Sequence, residues 1–376
     1  MLTFFALGMP DGLLGAAWPE MRRAHHQPAS ALSVLLVCGT AAFFASASLS
    51  APAARRFGSR RLLIGGSVCA GLGAVAVAAS PNFLVAAVGV GMLSGGSGLV
   101  DATVSSLVSL AGAARLIGIL HSIYAVGAAG APLVIAAWVS SSSWRGVYLG
   151  IAATYGLLLV VWFRIAADEP LTGRQRPART RRARLPFGSV ALALATFIAV
   201  SGLEIAAGAW AAVYVSDGLH QGAGTASLAA VAFWAALCLA RIVAGGGGIR
   251  RAPTWMIGGS LASVVGGLAL WSSSAVPVAI AGFALLGAGV GPMLPLLTVL
   301  TPHRVGQEAA AQVIGWQLAA ASVGAALVAG GIGVWVHHSG VHAVPPALAL
   351  TAVVTAALVV LLDRQPARVP AGGDNY

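Results

Sequence analysis

"DEPLTGRQRPARTRRARLP", residues 168–186, is the longest polar stretch in a 376-residue chain of which only 8% is charged and 58% is hydrophobic. An ordinary soluble domain carries about 25% charged residues. A chain this poor in charge cannot clothe a water-facing surface, so the rest of the sequence has to be read as membrane. On either side of the stretch the chain falls into apolar runs of about 20 residues, the length a helix needs to cross a hydrocarbon core roughly 30 Å thick. The runs cover residues 1–20, 30–52, 62–79, 83–110, 116–138 and 145–165 before it, and 188–214, 225–246, 254–272, 276–301, 310–335 and 343–362 after it. They are continuously apolar, without the two-residue alternation of a transmembrane barrel. The expected fold is all-α, a polytopic membrane protein with 12 transmembrane helices in two six-helix bundles. The expected domains are an N-terminal bundle at 1–167, a basic cytoplasmic linker at 168–187, a C-terminal bundle at 188–363 and a cytoplasmic tail at 364–376.

A formal charge of +11 would point to nucleic acid in a soluble protein. Here all 21 basic residues are Arg, and they sit in short loops with no basic-aromatic alternation. They read instead as a topology signal, and no nucleic-acid partner is expected. An even number of spans puts both termini on one side, and 18 of the 21 Arg fall in the loops and tail of that side. Arg22, Arg23 and Arg145 are left on the other. Such a bias places both termini in the cytoplasm of a cell (plasma) membrane. The amino end has no basic n-region, so it does not read as a cleaved signal peptide. Cys38, Cys69 and Cys238 lie far apart inside apolar runs and read as small packing residues.

A single shift relates the halves. "LIGGS" at 63–67 returns as "MIGGS" at 256–260, 193 positions later, and Gly15 falls on Gly208 at the same shift. Gly118 and Gly127 fall on Gly315 and Gly324 at a shift of 197. Spans 1, 3 and 5 therefore correspond to spans 7, 9 and 11, as in transporters built from parallel repeats.

Three carboxylates interrupt the apolar runs: Asp11 in "GMPDGLLGAAW", Asp101 after "GGSG", and Glu204 in "SGLEIAAGAW". An ionised Asp at mid-bilayer costs about 2.5–3.5 kcal/mol on insertion scales, so such residues have a partner, a wet cavity or a task. Asp11 and Glu204 occupy comparable places in the two halves, and each shares a helix face with a Gly four positions on. Asp101 leads into the hydroxyl-rich "ATVSSLVS", a face that can hydrate. Asp11 and Asp101 are the expected proton-coupling groups and also substrate contacts; Glu204 is expected at the substrate or at a gate. His121 and Tyr124 share a face of span 5, where His121 reads equally as a structural histidine or a substrate contact. Trp210 and Trp316 are candidate apolar walls, and Gln317 a candidate hydrogen-bonding group for a hydroxylated ligand. Arg241, near the end of span 8, is expected to reach out to the cytoplasmic face. The "GAGVGPMLP" of span 10 should let that helix bend. No P-loop is present, since the chain has no Lys, and the histidines at 337, 338 and 342 lack the partners of a metal site. No cofactor, metal or enzymatic constellation is expected.

The six-plus-six arrangement and the loop "ARRFGSRRLLIGG" together resemble the major facilitator superfamily, whose loop between the second and third helices has the form Gly-x-x-x-Asp-Arg-x-Gly-Arg-Arg. Arg56, Gly58, Arg60 and Arg61 match it as a gating loop, while Arg55 stands in place of the acid and Ala51 in place of the first Gly. Within that superfamily, "GxxDGxxGxxWP", "GxGLxDA", "LHxxYxxGAxxxP" and "GxExxxGxW" look like the fucose/proton symporter branch of sugar permeases. That resemblance implies alternating access around a cavity lined by spans 1, 4, 5, 7, 10 and 11. It also implies proton-coupled symport of a sugar-like solute through Asp11 and Asp101. The partners are then a small-molecule substrate, protons and the lipid bilayer, with the protein acting as a monomer. The alternative is a proton-driven drug or metabolite exporter, whose span 5 signature is met by Gly118, Gly127 and Pro132 but not by Ala131.

Overall fold

The structure is a computed structural model, and it describes residues 1–110, 114–138, 144–164, 187–245 and 251–365. Linker residues 168–186 and tail residues 366–376 therefore lie outside the described residues. The N-terminal half holds α1 (Leu2–Ala24), α2 (Leu32–Phe57), α3 (Ser59–Ala78), α4 (Phe83–Leu110), α5 (Ala114–Trp138) and α6 (Trp144–Arg164). The C-terminal half holds α7 (Phe187–Val213), α8 (Ala223–Gly245), α9 (Ala252–Ser272), α10 (Val276–Val290), α11 (Met293–Val305), α12 (Gln307–Ser339) and α13 (Val344–Asp363). No strand occurs among the described residues. The fold is the all-α, twelve-helix architecture expected, with α10 and α11 forming one span.

Ten of these spans are long and apolar enough to cross a membrane. The other two are α5, whose described apolar core is Ile123–Ile135, and α1, which carries Asp11, Glu20, Arg22 and Arg23. Large apolar side chains such as Leu49, Leu84, Leu261 and Leu318 face outward, as a bilayer solvent requires. Cys38 is exposed on the outer face of α2, whereas Cys238 is buried.

Helices in lipid gain little from hydrophobic burial against one another and associate where small residues let backbones approach. The glycines do this, and they do it twice. A Cβ on Gly66 or Gly73 of α3 would lie 2.9 or 2.7 Å from the carbonyl oxygens of Gly96 and Gly89 of α4. A Cβ on Gly259 or Gly266 of α9 would lie 2.5 or 2.6 Å from the carbonyls of Gly289 and Gly282 of α10. All four glycines of the first seam precede those of the second by 193 positions. The crossing of the first and fifth spans repeats as well, with Gly127 set against the Phe5 carbonyl and Gly324 against that of Ile198.

The span of α10 and α11 is broken at Gly291–Pro292, where proline has no N–H to continue the ladder. Pro295, four residues after Gly291, leaves that carbonyl without its helical N–H, and it accepts a hydrogen bond from Arg241 Nε at 2.8 Å instead. At the α2–α3 junction Gly58 takes φ +83°, a left-handed value open to glycine, which stops one helix and starts the next. Arg60 then donates from Nε to the Trp162 carbonyl at 3.2 Å and from Nη2 to that of Phe163 at 3.1 Å. This satisfies the open C-terminal end of α6. Arg56 lies over the Phe57 ring at 5.3 Å, and Arg61 is exposed.

Candidate functional site

At mid-depth, α1, α2, α4, α5, α7 and α12 enclose a cavity of about 270 Å³. The expected contribution of span 10 is replaced by α2, through Leu35, Gly39, Thr40 and Phe43. The reason is the α9–α10 seam and the bond from Arg241, which hold span 10 against α8 and α9 instead.

Both Asp11 and Asp101 line the cavity. Asp11 is an exposed residue in the middle of a buried helix, and its opening is to the cavity. Pro10, just before it, also lines the wall. Tyr124 of α5 donates its phenolic hydrogen to Asp11 Oδ2. Gly8 and Gly12 make the pairing possible, because a Cβ on either would meet the α5 backbone at Tyr124 or Ala128. Asp101 is half-buried, and its Oδ1 accepts from Ser105 Oγ at 3.3 Å, one turn on along α4. Thr40, Ser94, Ser97, Ser201 and Ser322 add hydroxyls to the wall, and Phe4, Leu7, Leu35, Phe43 and Ile205 make it apolar elsewhere. Ser97 is tied to Tyr155 Oη at 2.7 Å, Ser201 to the Ala321 carbonyl at 2.8 Å, and Ser322 to that of Leu318 at 3.4 Å. These hydroxyls were not singled out from sequence, where Ser and Thr in an apolar helix carry no mark of which face they take.

Glu204, Trp210, Trp316 and Gln317 are not among the residues lining the cavity. Glu204 is 5% exposed and faces Arg241, whose Nη2 donates to both carboxylate oxygens at 2.8 Å. Arg241 therefore turns inward and does not reach out to the cytoplasmic face: a buried carboxylate and an open carbonyl both lie within its span, and each needs a donor. Trp210 is fully buried and donates to the Ala329 carbonyl at 3.3 Å, tying α7 to α12. Trp316 is 41% exposed on the outer face of α12. Gln317 is buried against Thr301 of α11, with bonds of 2.9 and 3.0 Å. His121 lies on α5, with its side chain outside those described.

A second space of about 30 Å³ opens beside Asp11, bounded by Leu14, Leu36, Ile205, Ala209 and Trp234. Trp234 is 1% exposed, and its Nε1 has no hydrogen-bond partner.

Polar side-chain contacts between the halves, among the described residues, all lie at one end of the molecule. Arg22 meets Asp217 at 2.6 Å, Ser33 Oγ reaches the Ala329 carbonyl at 3.5 Å, and Ser30 Oγ reaches His337 Nδ1 at 3.5 Å. Gly333 and Gly330 pack there against Ser33 and Val37, and Gly15 against Ala209. On α1, α7 and α12 the cavity-lining residues lie on the terminus-bearing side of these contacts, and on α2 they lie on that side of Ser30 and Ser33. The molecule is sealed at the end holding the α1–α2 and α7–α8 junctions.

Twelve spans in two half-molecules of repeated packing, closed at one end over a cavity with two carboxylates, define a polytopic transport protein. The chain belongs to the Major Facilitator Superfamily, whose sequence profile matches residues 1–191. No curated protein sequence matches the chain at a significant level. Solved structures similar in fold include a peptide transporter of the POT family bearing a Glu-to-Gln substitution, at 13% identity and TM-score 0.75 over 96% of this chain and 94% of that one. Another is a POT family transporter in complex with 5-aminolevulinic acid, at 12% identity and TM-score 0.72 over 96% and 93%. A third is the xylose transporter XylE from E. coli in an inward open conformation, at 13% identity and TM-score 0.70 over 94% and 93%. At such identities the likeness is one of fold.

Proposed function

We propose that the chain is a proton-coupled secondary transporter that moves a small organic solute across the plasma membrane by alternating access. The observation that carries this reading is the position of Asp11, a carboxylate at mid-depth that opens to the cavity beside Asp101 while every described cross-half polar contact lies at one end. Intramembrane acids that face a cavity are the usual carriers of coupling protons. On this reading Asp11 and Asp101 take up and release the proton, Tyr124 positions Asp11, and substrate sits between them.

The Arg bias of the loops supports a cytoplasmic location for both termini. The sealed end is then external, and the conformation faces inward. Residues 1–167 and 188–363 act as the two rocking bodies, joined by the linker at 168–187, and the glycine seams that repeat at one shift support that division. The loop with Arg56, Gly58, Arg60 and Arg61 sits at the opening end, where Arg60 ties α3 to α6. The protein acts as a monomer.

Uptake of a sugar-like solute is favoured by the motifs around Asp11 and Asp101 and by the hydroxyls on the wall. Export is the second reading, favoured by the position of Trp210, Trp316 and Gln317 away from the cavity, which removes the groups best suited to grip a sugar ring. Proteoliposomes holding a trapped pH dye test the common core. Solute addition is expected to move protons in the wild type and not in Asp11→Asn or Asp101→Asn. A proton signal of wild-type size in both variants refutes the coupling role.

A further inference from the structure

We propose that the substrate is a small organic cation of single positive charge, and that it and the coupling proton occupy the Asp11–Asp101 cavity alternately, one cation being exchanged for one proton. The inference rests on the proton-coupled reading above and, of its two alternatives, takes exchange in place of sugar symport and names the substrate class.

Charge balance carries the argument. Three carboxylates stand at mid-depth, and the one cation facing them among the described residues is Arg241, which is spent on Glu204 and on the Gly291 carbonyl. The described residues lining the cavity include two acids and no basic side chain. Glu204 and its partner Arg241 act on Tyr124 in opposite senses, so that pair adds no net charge to the cavity, whereas Asp11 acts on Asp101 across it. Two ionised carboxylates facing one apolar-walled space repel each other, so each needs a proton or a counter-cation. A solute that brings its own positive charge supplies that counter-charge, and a proton supplies it when the solute has left. This mutual exclusion at one pair of oxygens gives exchange, not co-transport. An anionic solute meets only like charge.

The rest of the wall fits the same class. The side chains of Phe43 and Ile205 offer apolar contact to the body of an organic cation. Trp234, a nearly fully buried indole, lines the small space beside Asp11 and adds an aromatic side chain to the apolar surroundings of that carboxylate.

Proteoliposomes of the full chain with an internal pH dye distinguish the alternatives by sign. Tetraethylammonium, choline and benzyltrimethylammonium are used as probes because their fixed charge stops them from crossing as neutral bases. Entry of the cation against a departing proton makes the interior alkaline; a sugar entering with a proton makes it acid. The expected result is alkalinisation on adding at least one of the three cations, no response to D-xylose, L-fucose or lactate, and a response at least tenfold smaller in Asp11→Asn and Asp101→Asn. Acidification on adding D-xylose or L-fucose, with all three cations silent, overturns the substrate class and leaves proton coupling standing. Accumulation of labelled tetraethylammonium with no pH change overturns the exchange and the proton-coupled reading with it. Silence toward all three cations overturns the proposal. Should an Asn variant fail to fold, Asp11→Glu, which keeps the charge, must retain cation-driven proton movement, and proton release on adding cation to the purified wild type in weak buffer gives a second readout.

Discussion

Asp11 and Glu204 are the same device in the two halves with opposite outcomes. They lie at matching depths in α1 and α7, 193 positions apart, each four residues before a glycine. Asp11 is held by one neutral hydroxyl and opens to a cavity. Glu204 is buried and neutralised by an arginine that also satisfies a helix break. The first arrangement leaves a charge to be compensated by something that comes and goes, whereas the second closes the account inside the protein. The two matching positions are thus built differently, with a cavity-facing carboxylate in the N-terminal half and a fixed ion pair in the C-terminal half; on the proposed function the first carries the exchangeable chemistry.

The largest expected effects come from neutralising each acid in turn, and they should differ in kind. Asp11→Asn is expected to lower proton-coupled flux in proteoliposomes at least 100-fold while shifting stability by about 1 kcal/mol or less, because Asn still accepts from Tyr124. Glu204→Gln is expected to cost about 3–5 kcal/mol, since it leaves the Arg241 charge buried without its partner. Thermal unfolding in detergent reads the second effect. Removing both partners in Glu204→Gln/Arg241→Leu should recover part of the loss, although the Gly291 carbonyl then lacks its donor. If Asp11→Asn destabilises as strongly as Glu204→Gln, the two acids are both structural and the exchangeable role of Asp11 is wrong.

The fold was legible because membrane solvent writes a coarse signal. Twelve apolar runs of spanning length, one polar divider and an Arg bias need no knowledge of distant contacts. The break in span 10 was legible for a similar reason, since "GVGPMLP" contains its own cause. The cavity acids were legible because an Asp in an apolar run is costly wherever it points. Which acid opens to a cavity was not, since that depends on a partner: Arg241 lies 37 residues from Glu204, and near a span end an arginine that turns inward reads like one that turns out. Trp210, Trp316 and Gln317 show the same limit. Each stands in a glycine- and alanine-rich helix with little amphipathic contrast, and only packing against α11, α12 or lipid decides which face each takes.

A smaller effect should sharpen the repeat itself. Gly127 and Gly324 sit against the carbonyls of Phe5 and Ile198 at corresponding crossings. Ala at either position forces the backbones apart, and a cost of about 1–3 kcal/mol is expected at both, as for overpacked cores. Equal losses of thermal stability in the two variants would show two crossings of equal weight. A loss confined to one would show that the halves have diverged in packing as well as in charge.

The smallest effect concerns the sealed end, where the N-terminal half carries a buried imidazole and the C-terminal half contributes Asp217. His25, in the α1–α2 junction, bonds through Nε2 to Ser80 Oγ at 3.1 Å and lies edge-on to Trp144 at 5.8 Å. Arg145 stands beside it, donating to the Ala78 carbonyl at 2.9 Å. Burial, then the positive charge of Arg145, then His26 push the His25 imidazole below its ordinary value. A group depressed in the folded state binds fewer protons there than in the unfolded chain, so its contribution is full above the ordinary imidazole range and is lost as pH falls through it. The wild type should therefore lose apparent Tm between about pH 7 and pH 5, and His25→Gln, which cannot titrate, should flatten that slope. Asp217 faces Arg22 across the same seal, so Asp217→Asn should lower stability through loss of that ion pair while the slope stays with His25. If the slope tracks Asp217 and ignores His25, the pH response of the seal belongs to the contact between the halves and not to the packing within the first.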